Sequence, residues 1–181
     1  MSRYCLAVFF FLGIFLFNQR VIIARSEVLA EKINLYRQEN DLKRLKRSPQ
    51  LDQSALSKAC DLNNNDYFSH FDKQGRGLDW WLNQVDYHYM AGGENLAKNH
   101  RSPEKVLEAW INSPLHRDNL LSEDFEEIGV GYCDNYVVAH FGKSLPKPIA
   151  SVYDFWDFLK LIFNLPKLYA MNGREIIEVF K

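Results

Sequence analysis

The chain has 181 residues, 47% of them apolar and 25% charged, which suits one globular domain with extensions and excludes a disordered polymer. Its formal charge is −1. Without the first 24 residues, which hold Arg3 and Arg20 and no acid, 20 basic and 23 acidic residues remain, and no basic stripe is left to bind nucleic acid.

Arg3 precedes the apolar run Cys5 to Phe17, which Asn18, Gln19 and Arg20 interrupt. As a helix this run would rise about 20 Å, short of the ~30 Å hydrocarbon core, and with its basic flank it fits a secretory signal peptide. Ala24 is a possible last residue before cleavage, but Ile22 stands at −3, where a small residue is preferred. Residues 1–24 are therefore expected to be a signal peptide or a retained anchor. The expected location is secreted, periplasmic or otherwise extracellular, with residues 5–17 as the membrane tether in the second case. Cys5 precedes the run and is not placed like a lipobox cysteine.

Cys60 and Cys133 remain in the exported part. An oxidising compartment allows one bridge closing a long loop, and two buried thiols are the alternative. No Asn-x-Ser/Thr sequon occurs.

Along the chain, Ser26 to Asn40 reads as a helix capped by Ser26, with Leu29, Ile33 and Tyr36 on one face. Lys43 to Arg47 reads as a solvated loop. Ser48-Pro49 starts a second amphipathic helix carrying Leu51, Ala55, Leu56, Ala59 and Leu62, which runs toward the polar cluster Asn63 to Asp66. A short third helix is expected over Leu78 to Val85, and Gly92-Gly93 reads as a turn. Ser102-Pro103-Glu104 starts another helix, buried through Val106, Leu107 and Trp110 and ending at Asn112-Ser113-Pro114. Ile128 to Tyr132 and Tyr136 to Phe141 read as strands joined by a hairpin turn at Asp134-Asn135. Helices first and a tight antiparallel pair later give an α+β class, with helices packed on a small sheet.

Pro146 and Pro148 read as a linker to the aromatic segment Ser151 to Phe163. Phe155, Phe158, Leu159 and Ile162 would share one helical face. A helix packed on the domain or on a second copy is the simpler reading. An in-plane membrane helix favours a more basic polar face than this one has.

Three segments place reactive side chains at element ends: Asp66 to His70, Gly92 to Ala97, and Trp110 to Leu121. His70, His116 and Glu94 together would suit an open metal site, with His70 and His116 as the ligands of a divalent cation such as zinc. His70 and His116 are far apart in sequence, so only the fold could bring them together. Ser113 three residues before His116 suggests a nucleophile and base, but no Gly-x-Ser-x-Gly elbow accompanies it. His88 and His100 read as loop residues, and His140 as a strand residue that could face either side.

In order, Ile33-Asn34 with Arg37, Asn65 to His70, Gly93 to Ala97, Trp110 to Leu121, Phe125 to Gly131 and the strand ending at Phe141-Gly142 form a pattern. From about Val28 to Gly142 the chain resembles the CAP superfamily of cysteine-rich secretory, antigen 5 and pathogenesis-related proteins (the SCP-like domain), in the single-domain type common in bacteria. The resemblance implies an α-β-α sandwich with a small antiparallel sheet between helices over residues 26–143; the residues beyond it, 144–181, read as an aromatic-rich helical extension.

It also implies a cleft with two histidines and two acidic residues, matched here by His70, Glu94 and His116. The fourth position falls on Ser113, which removes a carboxylate and weakens the hold on a cation. Asn95 and Asn119 are expected to tie the surrounding loops, and Arg117 to pair with a carboxylate such as Glu94 or with an anion. No general catalytic activity defines the family. The function it implies is therefore an exported binding module for a cell-envelope or extracellular partner, a lipid, or a small polar ligand or cation in the cleft. Two alternatives stand beside it. One is a hydrolase using the same cleft, with Glu94 as general base or a metal between the histidines. The other is an envelope or coat assembly protein.

Overall fold

The computed structural model describes residues 24–100 and 102–145; the expectations for the N-terminal apolar run and the aromatic C-terminal segment lie outside the described residues. Helix α1 covers residues 24–39, strand β1 is Lys46–Arg47, and helix α2 is Pro49–Asn64. Helix α3 follows at Leu78–Asn83 and strand β2 at Tyr89–Lys98. Helices α4 (Pro103–Ile111) and α5 (Pro114–Leu121) precede the hairpin of β3 (Glu127–Cys133) and β4 (Tyr136–Ser144).

The sheet order is β1-β3-β4-β2, so β2 is an edge strand. The β3–β4 and β4–β2 pairs are antiparallel, and β1 adds one short parallel pairing to β3. Helices cover both faces, which gives the expected three-layer sandwich.

Strand alternation assigns side chains to the two layers. Val137, Ala139 and Phe141 of β4 join Ile128, Val130 and Tyr132 of β3 in one cluster with Leu29 and Ile33 of α1, Val106 and Trp110 of α4, and Leu120 of α5. Tyr136 and Val138 face the other way, against Ala55, Ala59 and Leu62 of α2. The alternating glycines of β3 explain how α2 comes so close. A Cβ at Gly129 would lie 2.0 Å from the Leu51 carbonyl carbon, and one at Gly131 would lie 2.2 Å from the Leu56 nitrogen. The helix backbone rests directly on the strand there. Cys60 and Cys133 then fasten α2 to the end of β3 as a disulfide spanning 73 residues, so the bridge forms rather than two free thiols. Closing a loop of that size contributes about 4 kcal/mol in the chain-entropy account.

Ser48 and Ser102 cap α2 and α4 by accepting from the backbone nitrogens of Leu51 and Lys105, each with proline at the first position. Arg37 is buried on α1 and donates to the carbonyls of Lys43, Leu120 and Ser122, fixing the end of α5. Asn34 both donates to and accepts from the Leu45 backbone.

Several local expectations need correction. Residue 24 is already helical, so Ser26 lies inside α1 and does not cap it; its carbonyl instead accepts from Arg47 Nη1 at 2.9 Å. Lys46 and Arg47, expected in a loop, pair with Glu127 and Ile128. Gly92 and Gly93, expected as a turn, lie within β2 opposite Gly142 and Phe141. Gly93 is needed there because a Cβ would come within 2.6 Å of Phe125 Cζ. Helix α3 stops at Asn83, and α5 is a separate helix that starts at Pro114.

Candidate functional site

The site begins with a register. Glu94 on β2 stands directly opposite His140 on β4, and alternation turns both toward α2. Glu94 Oε2 accepts from His140 Nε2 at 3.0 Å, and Glu94 Oε1 accepts from His70 Nδ1 at 2.6 Å. On its far side, His140 Nδ1 meets Ser54 Oγ of α2 at 3.0 Å. The four side chains form one chain of hydrogen bonds from the core to the surface. Ser54 and His140 are 0% exposed, Glu94 is 7% exposed, and His70 is open to solvent.

The loop after α2 holds His70 in place. Lys58, buried on α2, donates to Tyr67 Oη at 3.1 Å and reaches the His70 carbonyl at 3.4 Å. Tyr67 in turn donates to Asp61 Oδ2. Beyond His70, buried Asp72 accepts from the backbone nitrogens of Gln74 and Arg76 and pairs with the Arg76 guanidinium, closing residues 72–76 into a tight loop. Burial pushes the Lys58 ammonium below its ordinary value, while Glu94 and Asp61 resist that shift.

The charges follow from the same contacts. Burial alone would raise the Glu94 carboxyl, but the hydrogen bonds from His140 and His70 outweigh it and hold it down to about 2. His70 is raised by its bond to Glu94, against the opposing pull of burial. Glu94 is therefore an ionised acceptor at neutral pH, and His70 keeps its proton on Nδ1.

His116 approaches from the opposite layer, on the first turn of α5. Asn95, the neighbour of Glu94 on the other face of β2, donates to the His116 carbonyl at 2.9 Å. Asn119 donates to Asn95 Oδ1 at 2.9 Å and to the Glu94 carbonyl at 3.1 Å, so the two asparagines tie α5 to strand β2. The half-buried His116 imidazole is pushed below its ordinary value by burial first and by the charge of His70 second, which places the two histidines within electrostatic reach. Ser113 sits at the N-cap of α5, half-buried, and its hydroxyl makes no capping bond. It also makes no bond to His116. Arg117 is exposed, and among the described residues the ion-pair partners of Glu94 are His70 and His140, so of the two expected partners of Arg117 only the pairing with Glu94 is corrected.

The fold thus joins His70 to Glu94 and brings His116 near, while the Ser113 hydroxyl makes no capping bond. Sequence reasoning missed Ser54, Lys58 and His140. His88 lies exposed and His100 half-buried in loops, apart from this network.

A family model for CAP, the cysteine-rich secretory protein family, matches residues 30–141. The chain belongs to the CAP family. Among curated relatives, the uncharacterized protein YkwD of Bacillus subtilis is 36% identical over 115 residues, covering 63% of this chain and 44% of YkwD. The chain therefore spans less than half of that relative. Among solved structures, an extracellular protein containing an SCP domain from Bacillus anthracis superposes with a TM-score of 0.68 at 28% identity, over 70% of this chain and 42% of that one. An outer surface protein of Borrelia burgdorferi gives a TM-score of 0.61 at 27% identity, over 66% and 92% of the two chains.

The CAP frame raises the question of a cation. His70 Nε2 and the His116 imidazole are the two groups that would hold one. Each Glu94 oxygen already holds a histidine by a hydrogen bond, so the carboxylate is placed to orient His70. Among the described residues no three His, Cys, Asp or Glu side chains converge as a ligand set. A zinc ion here would have two nitrogen donors and solvent, and Glu94 would act by orienting His70. No helix of the described residues is long and apolar enough to cross a membrane.

Proposed function

We propose that this CAP domain is an exported binding module whose cleft takes a small polar ligand or a divalent cation at His70 Nε2 and His116. The observation that carries the reading is the double tether of Glu94. As a general base for water this carboxylate would take on a proton at an oxygen that holds His70 or His140, and so weaken that tether. What the cleft offers instead is an imidazole oriented by Glu94, whose Nε2 presents a lone pair once the ring is neutral, beside a second imidazole whose own proton affinity is depressed. Export is supported by the apolar N-terminal run and by the two structural neighbours, one described as extracellular and one as an outer surface protein.

Zinc alone is the first probe. Calorimetric titration of the full-length protein should show stoichiometric binding that disappears in His70→Ala/His116→Ala. Heat no greater than background would end the cation reading.

A second reading rests on a different face. Between α1 and α4 lies an open groove of about 390 Å³, with Leu35, Tyr36, Leu107 and Ile111 on its apolar lining and Lys32 and Glu108 among its charged residues. An acyl chain is the ligand that such a surface would accept. Fluorescent fatty-acid binding to the wild type, reduced by Leu107→Asp, is the corresponding measurement; binding unchanged by that substitution would exclude the groove.

A further inference from the structure

Glu94 has two tethers, and only one reaches the surface. His70 holds Oε1 from the solvent side at 2.6 Å, and His140 holds Oε2 from the core side at 3.0 Å. We propose that His140 is a positioning residue: its bond to Glu94 fixes the carboxylate so that His70 keeps its proton on Nδ1 and turns Nε2 outward as the ligand-facing lone pair. The proposal rests on the binding reading above and assigns that reading a residue from the core of the domain.

The chemistry of the chain gives the direction. Ser54, His140 and Glu94 have the composition of a hydrolytic triad, but Ser54 and His140 are fully buried, so no substrate reaches them. Neither is a catalytic residue. The accessible end is His70, whose side chain is 54% exposed against 4% for Glu94. An ionised carboxylate in the core needs donors at both oxygens, because a missing partner leaves charge uncompensated. The Ser54 hydroxyl accommodates either form of His140, accepting from a protonated Nδ1 or donating to a bare one. In both cases His140 Nε2 carries the hydrogen that Glu94 accepts.

Two fixed points then define the carboxylate plane, since Glu94 and His140 are cross-strand partners on rigid β2 and β4. With one tether removed, the carboxylate is free to turn about its terminal bond. The His70 proton then loses its fixed acceptor. Unconstrained imidazole prefers the hydrogen on Nε2, which is the form that buries the lone pair needed by a ligand. His140 therefore sets the tautomer of a histidine it does not touch.

The test reads the tautomer directly, with no ligand present. Long-range ¹H–¹⁵N correlation spectra of full-length protein, taken above the raised pKa of His70, report which ring nitrogen is protonated. The wild type should show Nδ1–H. His140→Leu removes the donor and should move His70 toward the Nε2–H form, while His140→Gln returns an amide donor to Glu94 and should restore the wild-type pattern. Should the leucine variant fail to fold, His140→Asn takes its place, because its shorter amide stays near Ser54 and does not reach Glu94. An unchanged His70 spectrum in a folded donor-free variant would overturn the proposal. So would equal shifts in the glutamine and leucine variants, which would mean that packing and not the hydrogen bond sets the ring. A failure of zinc binding in the wild type bears on the binding reading and leaves this measurement standing.

Discussion

On the β2 side of the cleft, Glu94 is buried and each oxygen accepts a hydrogen bond, and the chain continues through His140 to Ser54 in the core. On the α5 side, His116 is held through its backbone carbonyl, and the hydroxyl of Ser113 makes no capping bond. One half is locked through its functional side chains, and the other is held through backbone carbonyls, by Asn95 and Asn119. The difference teaches that the Glu94 half does not depend on position 113, because that half draws its support from the sheet and α2. Truncation should expose the contrast most strongly. Glu94→Ala strands the His140 donor and opens a void, for an expected loss of about 3 kcal/mol. His116→Ala removes a half-buried imidazole and should cost about 1 kcal/mol or less. Urea unfolding midpoints of the two variants compare them, and equal losses would erase the distinction between the halves.

Mild acid should separate the two cleft histidines by sign. The Glu94 carboxyl lies at about 2 when folded against an ordinary value of 4.5, so the unfolded chain takes the proton first as pH falls. Its stabilisation is complete above the unfolded value and is lost between there and about pH 2, with a ceiling of roughly 3 kcal/mol. His70, raised in the fold, contributes below its ordinary value of 6.5 and loses that contribution as pH rises through its folded pKa. The bond between them is therefore strongest from about pH 4.5 to 6.5. His116 behaves oppositely: its lowered pKa makes the folded state lose ground as pH falls below 6.5. Thermal midpoints of wild type and Glu94→Gln from pH 2 to 8 check this. The acid limb should flatten in the variant, and an identical limb in both would assign acid loss to other carboxylates.

The sandwich was legible because its motifs mark element ends, and ends have local chemistry: Ser48-Pro49 and Ser102-Pro103 start helices wherever they occur. The β2 strand was not legible, since Gly92 and Gly93 look like a turn until Phe125 is known to press on one of them. His70, Glu94 and His116 could be read from the family pattern. His140 could not, because β4 is buried from Tyr136 to Gly142 and alternation with no polar face does not say which side a residue takes. Ser54 and Lys58 did carry a signal. They fall three and seven residues after Leu51, on the same helical stripe as Ala55, Ala59 and Leu62, so α2 turns two polar side chains toward the sheet. A polar residue on a buried stripe asks for a partner, and His140 and Tyr67 are those partners.

Ser54 offers a smaller test of the locked half. Ser54→Ala removes one neutral hydrogen bond from a buried histidine, and a loss of about 1 kcal/mol is expected. The effect should be confined to the Glu94 half, so the His116 resonances should stay in place while those of His140 move. Movement of both would show that the halves are coupled through β2, with the Asn95–Asn119 pair as the route.

The smallest change in stability and the sharpest test of the open half come together in Ser113→Glu. No capping bond is lost, and a carboxylate at the start of α5 meets the positive end of the helix, so stability should change by less than about 0.5 kcal/mol. The electrostatic effect should be larger. An added negative charge near His116 opposes the burial that now depresses its pKa and should raise it. The same charge should strengthen zinc binding about tenfold, equivalent to about 1.4 kcal/mol. NMR titration of His116 and calorimetry on the same sample read both quantities. A shifted His116 with unchanged zinc affinity would mean that the cation sits on the His70 side alone. An unshifted His116 would mean that position 113 does not face the cleft, and the serine there would no longer account for the open half.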